Sequence, residues 1–132
     1  MPLLNDPDSI HPPFGNYAHG VLIPESGSLV LTSGQLGICK NGAIPESIAE
    51  QAELCFDAVE AIVAEAGMTM ADVVQLRTYL TSRDDFPAYM AVRDKRLANR
   101  RIASTLLIVS GFTRPEFLVE VEAVAYRSGA GK

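Results

Sequence analysis

The chain has 132 residues, of which 48% are hydrophobic and 20% charged, and its formal net charge is −5. A chain of this length is long enough for one domain with a single hydrophobic core. The negative charge argues against nucleic-acid binding, because contacts to phosphate dominate that affinity and require a basic surface. No apolar run reaches the length of a membrane-spanning helix, so no membrane partner is expected.

The N-terminal sequence, the cysteines and the histidines bear on location and cofactors. MPLLNDPDS lacks the basic and apolar segments of a signal peptide, so we expect a cytoplasmic protein. Cys39 and Cys55 do not have the spacing of a disulfide framework, which agrees with a reducing compartment. His11 and His19 have no clustered cysteine or carboxylate neighbours, so we do not expect a zinc site. Whether Cys39 reaches a pocket stays open.

The first elements in chain order are an arm and a pair of strands. Residues 1–14 contain several prolines and are interpreted as an arm ahead of one domain over residues 15–128, which a tail at 129–132 follows. Two β-prone runs, at 16–23 and 28–34, flank the turn sequence PESG. This pattern predicts a β-hairpin.

A helix is predicted next. Ser47 opens it, because S-I-A-E forms a capping box in which Glu50 can reach back to the Ser47 amide. Gly67 is expected to end it. Apolar residues recur between these positions with the helical period and define one buried face. They are Ile48, Ala52, Cys55, Phe56, Val59, Ile62, Val63 and Ala66.

The second half of the chain alternates strands with one further helix. Residues 73–81 alternate in polarity and predict a strand, with Gln75, Arg77 and Tyr79 on one face and Val74, Leu76 and Leu80 on the other. A helix is predicted to start near Asp84 or Asp85, with Pro87 in its first turn. Its stripe is Phe86, Met90, Arg93 and Leu97. Strands are predicted at 103–110 and 117–126.

This order of elements predicts the fold class. Helices that follow strands in this way pack on one face of a mixed sheet, so we predict an α+β fold with both helices on one face. Two helices cannot cover two faces, yet the strand at 117–126 carries apolar residues on both sides. The uncovered face therefore predicts a homo-oligomer.

Two polar features on predicted strands are candidate parts of a site. Ser33 and Gly34 end the run at 28–34, where glycine lets a small ligand approach the backbone, although an ordinary strand end is the simpler interpretation. Glu120 and Glu122 share one strand face. A half-buried carboxylate there can act as a general acid or base, or can pair with an arginine across an interface. For Glu120 both interpretations stay open, and for Glu122 the structural one is favoured.

A third feature is Arg100 with Arg101, just before the strand at 103–110. Arginine binds carboxylates bidentately, so the pair suggests a small organic acid. Both side chains can also cap the last carbonyls of the second helix, and the residues alone favour that cap. The chain has no nucleophile elbow, phosphate-binding loop or dinucleotide fingerprint.

Five segments, in their order and spacing, resemble the Rid family of reactive-intermediate (enamine/imine) deaminases, also called YjgF-like or endoribonuclease L-PSP-like proteins. They are NYAHGV, LVLTSGQLG, QAELCFDAVEAIVAEAGMTMADVVQLRTYL, DDFPAYMAV and VEVEAVAY. The resemblance implies a chorismate-mutase-like α+β subunit, a homotrimer with a cleft at each subunit boundary, and a reaction without metal or cofactor. Active members hydrolyse small enamine or imine acids, such as 2-aminoacrylate, to 2-keto acids and ammonia.

The resemblance also assigns roles to residues. Tyr17 corresponds to the tyrosine of the cleft, and Ser33 with Gly34 to the strand end beside the substrate. Glu120 corresponds to the carboxylate that activates or orients the attacking water.

The chain departs from the family pattern at the arginine that binds the substrate carboxylate in deaminating members. Ala103, or Ser104 after a one-residue shift, stands there, and Thr105 replaces the cysteine that commonly follows. Such a loss typically costs about 2 kcal/mol or more of binding. Arg101, which alternation places on the face of Ala103, and Arg114 are candidate substitutes.

Two functions remain open on the sequence. The first is a deaminase-like hydrolase acting on a small organic acid, and the second is a catalytically silent trimer that binds a small metabolite. Ribonuclease activity is disfavoured by the acidic charge balance and by the absence of an acid–base histidine pair.

Overall fold

A mixed β-sheet with two helices packed on one of its faces forms the domain. The computed structural model describes residues 3–4, 9, 11–23 and 26–129. The strands are β1 (Leu3–Leu4), β2 (Gly20–Val21), β3 (Gly27–Leu31), β4 (Gln35–Leu36), β5 (Val73–Leu80), β6 (Ala103–Ile108) and β7 (Val119–Ser128), and the helices are α1 (Ile48–Ala64) and α2 (Phe86–Arg96). Short 3₁₀ turns precede β5 and α2.

The main sheet has the order β3-β7-β5-β6, and β4 also pairs with β7. Only the β5–β6 pair among these is parallel, because α2 carries the chain back between them; the other pairs are antiparallel. Burial alternates along β7 from Val119 to Ala125, so Val119, Val121 and Ala123 are buried beneath the helices while Glu120 and Glu122 lie on the opposite face. The predicted α+β sheet with both helices on one face is confirmed. The face that the helices leave bare is called the open face below.

The predicted hairpin of runs 16–23 and 28–34 is wrong. β2 pairs with β1, and β3 pairs with β7 along five residues. The earlier run instead meets the free edge of β6, where the Ala18 amide donates to the Ile102 carbonyl at 2.7 Å. A turn signal is local, whereas the ten-residue β7 supplies a longer ladder at a distance in sequence. Residues 24–25 of the predicted turn lie outside the described residues.

The two ends of the chain are described in part. Residues 1–2, 5–8 and 10 of the predicted arm and 130–132 of the predicted tail lie outside the described residues. Within the described part, the arm contributes β1 to a small two-stranded sheet. None of the helices in that part is long and apolar enough to cross a membrane.

Helix α1 begins where the sequence predicts, after Ser47, and ends at Ala64, three residues before the predicted Gly67, so that Ala66 lies outside the helix and is exposed. The Ser47 hydroxyl accepts a hydrogen bond from the Glu50 amide at 3.0 Å, and the Glu50 carboxylate accepts from that hydroxyl rather than from the Ser47 amide. Gly67 takes a φ of +75°, which favours glycine after a helix. The helix buries Ala52, Cys55, Phe56, Val59 and Val63 against the sheet.

Helix α2 buries only part of the predicted stripe, namely Arg93 and Leu97, together with residues outside it. Phe86 is 43% exposed, whereas Tyr89, Val92 and Arg93 are buried. The 3₁₀ turn Arg83–Asp85 leads directly into the helix. Arg96 then reaches the acidic side of α1, where it contacts the carboxylates of Glu53, Asp57 and Glu60 within 3.1 Å.

The buried phenol of Tyr89 predicts a loss of stability at alkaline pH. Its ring stacks on Phe56, its hydroxyl bonds Thr78, and burial raises the pKa of Tyr89 to about 12. Between pH values of about 10 and 12 the unfolded chain releases this proton and the folded chain keeps it, so the contribution is complete below that window and lost through it. The effect is on the order of 2–3 kcal/mol.

Tyr89→Phe tests this expectation, because it removes the ionising group and keeps the ring. We expect urea denaturation across that window to show a smaller loss of unfolding free energy in the variant than in the wild type. The difference between the two proteins cancels the other groups that titrate at high pH. Parallel losses would show that Tyr89 does not contribute.

Candidate functional site

Gly34 and Glu120 meet on the open face of the sheet. β4 pairs with β7 so that Leu36 lies opposite Glu120, and the chain just before β4 passes over the Glu120 side chain. A Cβ atom built on Gly34 would stand 2.4 Å from Glu120 Oε2 and 2.6 Å from its Cδ. Only glycine therefore permits this approach between a backbone and the carboxylate. Ser33 precedes this contact and is exposed.

The neighbouring Glu122 is engaged within the sheet. The Tyr79 hydroxyl donates to its carboxylate at 2.5 Å, and this bond raises the pKa of Tyr79. Arg77 stands opposite Glu122 in the register of β5 and β7. Glu120, by contrast, accepts no hydrogen bond from any described residue and is half-buried. The two carboxylates thus differ, and Glu120 is the one free to hold a water molecule.

Tyr17 lies elsewhere, on a cavity of about 250 Å³ between the N-terminal segment, α2 and β6. Its hydroxyl accepts a hydrogen bond from the Phe14 amide at 3.1 Å. The cavity is lined by Phe14, Gly15, Asn16, Tyr17, Phe86, Met90, Arg93, Ser104 and Leu106. Ser104 and Leu106 lie on the helix-covered face of β6, whereas Ala103, Thr105 and Glu120 lie on the open face. Tyr17 and Glu120 are therefore not brought together within one chain.

The position of Ala103 opens on a second cavity, of about 340 Å³, on the open face. Its walls include Gln75, Val124 and His19, and no arginine or lysine of the described residues lines it. Thr105 stands two residues along β6, opposite Arg77, and is exposed. Among the described residues, no cation lines the cavity at Ala103, and Arg77 on the same face lies opposite Thr105.

Neither candidate substitute reaches that cavity. β6 begins at Ala103, so Arg101 precedes the strand, and it lines another cavity, of about 310 Å³, with Arg100. Strand alternation thus does not place Arg101 beside Ala103, contrary to the prediction. Arg114 is exposed, lies 3.7 Å from Glu116 and covers the Phe117 ring.

The sequence favoured Arg100 as a cap of the second helix, but the structure places its side chain elsewhere. Its Nη2 donates to the carbonyls of Met70 at 2.6 Å and Val73 at 3.3 Å, where the chain enters β5. The end of the helix meets this turn through a contact between residues distant in sequence, so no local sequence pattern predicts it.

Arg93 is the residue that sequence reasoning did not single out for a site. It is 2% exposed and lines the same cavity as Tyr17. The available signal was its place on the predicted stripe of the second helix, since an arginine on an apolar stripe needs a buried partner. Cys55 is equally buried, and burial raises the pKa of its thiol to about 12, so it offers no thiolate nucleophile at neutral pH.

Comparisons with known proteins agree on a family. The model of the endoribonuclease L-PSP family matches residues 9–127. TdcF from Escherichia coli K12, whose name is that of a reactive intermediate deaminase, is 32% identical over 119 residues, covering 86% of this chain and 88% of TdcF. A 2-iminobutanoate/2-iminopropanoate deaminase from the same organism is 29% identical over 116 residues, with coverage of 86% and 88%.

Solved structures show the same fold. YyfB from Yersinia pestis, a protein of the Rid family, matches with a TM-score of 0.77 and 28% identity over 94% of this chain and 96% of that chain. The structure of Escherichia coli TdcF with bound serine matches with a TM-score of 0.72 and 28% identity, over 86% of this chain and 96% of that chain. The fold and the family match therefore define an α+β protein of the YjgF-like, L-PSP type. The chain belongs to the Rid family.

Proposed function

We propose that this protein is an enamine/imine deaminase-type hydrolase that converts small 2-imino or 2-enamino acids to 2-keto acids and ammonia. The observation that carries the proposal is the contact of the Glu120 carboxylate with the backbone of Gly34 in a chain of the Rid family. The names of the two Escherichia coli relatives, both deaminases, support it.

Hydrolysis of an imine requires from the protein only a bound water molecule and a group that transfers protons. An enamine becomes an imine when one proton leaves nitrogen and one is added to carbon, and the imine carbon is already electrophilic, so the reaction needs no metal or cofactor. Water adds at that carbon as the C=N π bond breaks, and Glu120 takes one water proton and passes it to the nitrogen, which gives a carbinolamine. Glu120 then moves the hydroxyl proton to the same nitrogen, the C–N bond breaks as the C=O bond forms, and ammonia leaves. Ser33 and Gly34 offer a hydroxyl and a backbone beside this carboxylate.

We further propose a homotrimer whose subunit boundaries complete the site. The open face carries exposed leucines, of which Leu29 is 57%, Leu31 73% and Leu107 51% exposed in one chain. A second copy would remove this apolar surface from water. Such packing would let Tyr17 of one copy approach Glu120 of another, which the single chain does not do.

The trimer predicts an effect of a charge placed on the open face. We expect Leu31→Lys to shift the mass measured by light scattering from three chains toward one, because a lysine at an apolar contact loses its hydration. Ala49→Lys, on the exposed side of α1, serves as the control and should leave the mass unchanged. A monomeric wild-type protein at micromolar concentration would contradict the assembly.

A coupled assay tests the deaminase. A pyridoxal-phosphate dehydratase generates 2-aminoacrylate, and keto-acid release is followed against trapping of the imine by semicarbazide. We expect the protein to accelerate release and Glu120→Ala to lower that acceleration by about 100-fold or more. Glu122→Ala, matched in charge and strand, should lower it less. No acceleration by the wild-type protein would contradict the proposal for these substrates.

Ala103 supports a second candidate, a catalytically silent trimer that binds a small metabolite. Without the arginine expected there, the open-face cavity holds no cation to position a carboxylate for attack. This candidate predicts binding of small organic acids without turnover in the coupled assay.

A further inference from the structure

The Arg93 guanidinium is buried and only partly satisfied. Its Nη1 donates to the Asp94 carboxylate at 3.0 Å and to the Asn16 carbonyl at 3.4 Å. Nη2 is buried and has no hydrogen-bond partner. Among the buried side-chain nitrogen and oxygen atoms of the described residues, it is the one without a partner. A buried charged donor without an acceptor is unfavourable, so an acceptor from outside the chain is expected at Nη2.

The cavity beside Arg93 has room for such an acceptor. It measures about 250 Å³ and is lined by Arg93 and by Asn16, whose backbone carbonyl accepts a hydrogen bond from the Arg93 guanidinium at 3.4 Å. Phe86, Met90 and Leu106 supply apolar walls, while Ser104 and Tyr17 supply hydroxyl groups. The cavity thus combines one cationic group with a mainly apolar lining, which is the usual composition of a small-molecule site.

We infer that this cavity binds a small monocarboxylate with a short aliphatic tail, and that Arg93 Nη2 holds the carboxylate. A carboxylate oxygen supplies the missing acceptor, and a charge-assisted bond to guanidinium is stronger than a neutral one. The apolar walls take the tail. Asp94 already neutralises much of the Arg93 charge, which favours a single negative charge over a phosphate dianion.

This site is separate from the position of the arginine expected at Ala103. The expected arginine would project from the open face of β6, whereas Arg93 lies on α2, behind that strand. The inference does not rest on deamination, because it concerns binding at a cavity that one chain forms. It assigns Arg93 as a ligand-binding residue whether or not turnover occurs.

Calorimetric titration of the full-length protein with butanoate tests the site. Butanamide has the same shape without the charge, and inorganic phosphate has charge without the tail. We expect butanoate to bind, and both other compounds to bind about 10-fold more weakly or not at all. Phosphate binding as tightly as butanoate, or no butanoate binding, would overturn the inference.

Two variants assign the binding to Arg93. Arg93→Met keeps the length of the side chain and removes the donors, and we expect butanoate affinity to fall about 10- to 100-fold. Arg101→Met, at an exposed arginine that lines another cavity, is the matched control and should bind as the wild type does. Equal affinities in wild type and Arg93→Met would overturn the assignment.

A further variant keeps the test decisive if Arg93→Met fails to fold. Ser104→Leu fills the cavity and leaves Arg93 in place, so butanoate binding should fall to a similar extent. In the wild type, the nitrogen-15 resonances of one buried guanidinium should shift as butanoate is added, and unchanged resonances would overturn the inference. Binding without turnover in the coupled assay would contradict deamination alone, whereas turnover together with equal butanoate affinities in wild type and Arg93→Met would contradict this site alone.

Discussion

Gly34→Ala is expected to abolish most of the deaminase activity while the protein stays folded. The added Cβ would stand 2.4 Å from Glu120 Oε2, which is closer than any van der Waals contact allows. Because the atoms it meets belong to the end of a flexible side chain, we expect the Glu120 carboxylate to move away while the backbone of the sheet stays in place. Displacement of a general base typically costs about 100-fold or more in rate. The free energy of unfolding should change by about 1 kcal/mol or less.

Two comparisons separate this effect from general damage. Gly129→Ala adds the same group where the nearest atom is 3.7 Å away, so both activity and stability should be retained. In a protein that already carries Glu120→Ala, Gly34→Ala should lower the rate no further, because both changes act on one carboxylate. Full activity of Gly34→Ala would contradict the role of Glu120 in the proposed reaction.

Gln51→Leu is expected to destabilise the fold by about 2–4 kcal/mol. Gln51 is fully buried, and its amide Nε2 donates to the carbonyls of Pro45 and Glu116 at 2.8 and 2.9 Å. Its Oε1 accepts from the Leu118 amide at 2.9 Å. Leucine fills a similar volume but leaves these backbone groups without partners. Urea denaturation followed by circular dichroism measures the change.

Gln35→Leu provides the control, because Gln35 is half-buried and donates only to the nearby Ser33 carbonyl at 3.1 Å. It should change the unfolding free energy by less than about 1 kcal/mol. The Gln51 bonds hold the segment that leads into β7, so partial loss of deaminase activity should accompany the loss of stability. An unchanged denaturation midpoint in Gln51→Leu would show that water replaces the lost bonds.

Features that depend on local pattern were predictable. The α1 cap at Ser47, its buried face and the alternation of β5 and β7 follow from periodicities of 3.6 and 2 residues. That both helices cover one face follows from the order of the elements, and the open face follows from their number. Glu120 and Glu122 could be placed on one face of a strand because they are two residues apart.

Features that depend on distant partners were not predictable. The run at 16–23 meets β6 rather than β3, and Arg100 meets the carbonyls of Met70 and Val73 rather than the end of α2. A turn signal or a helix end constrains only its neighbours, whereas these contacts join segments about 30 to 85 residues apart, whose meeting the packed sheet decides.

The sequence by itself determined the two helices, the strands β5, β6 and β7, the α+β class and the division of the sheet into an open face and a helix-covered face, because each follows from local periodicity and from the order of the elements. Only the tertiary structure decided that Gly34 touches Glu120, that Tyr17 stands apart from both, and that Arg93 has a nitrogen without a partner beside a cavity. The reason is physical: hydrogen-bond satisfaction and close approach depend on distances between residues that pack together in the fold, and local sequence patterns do not specify those distances.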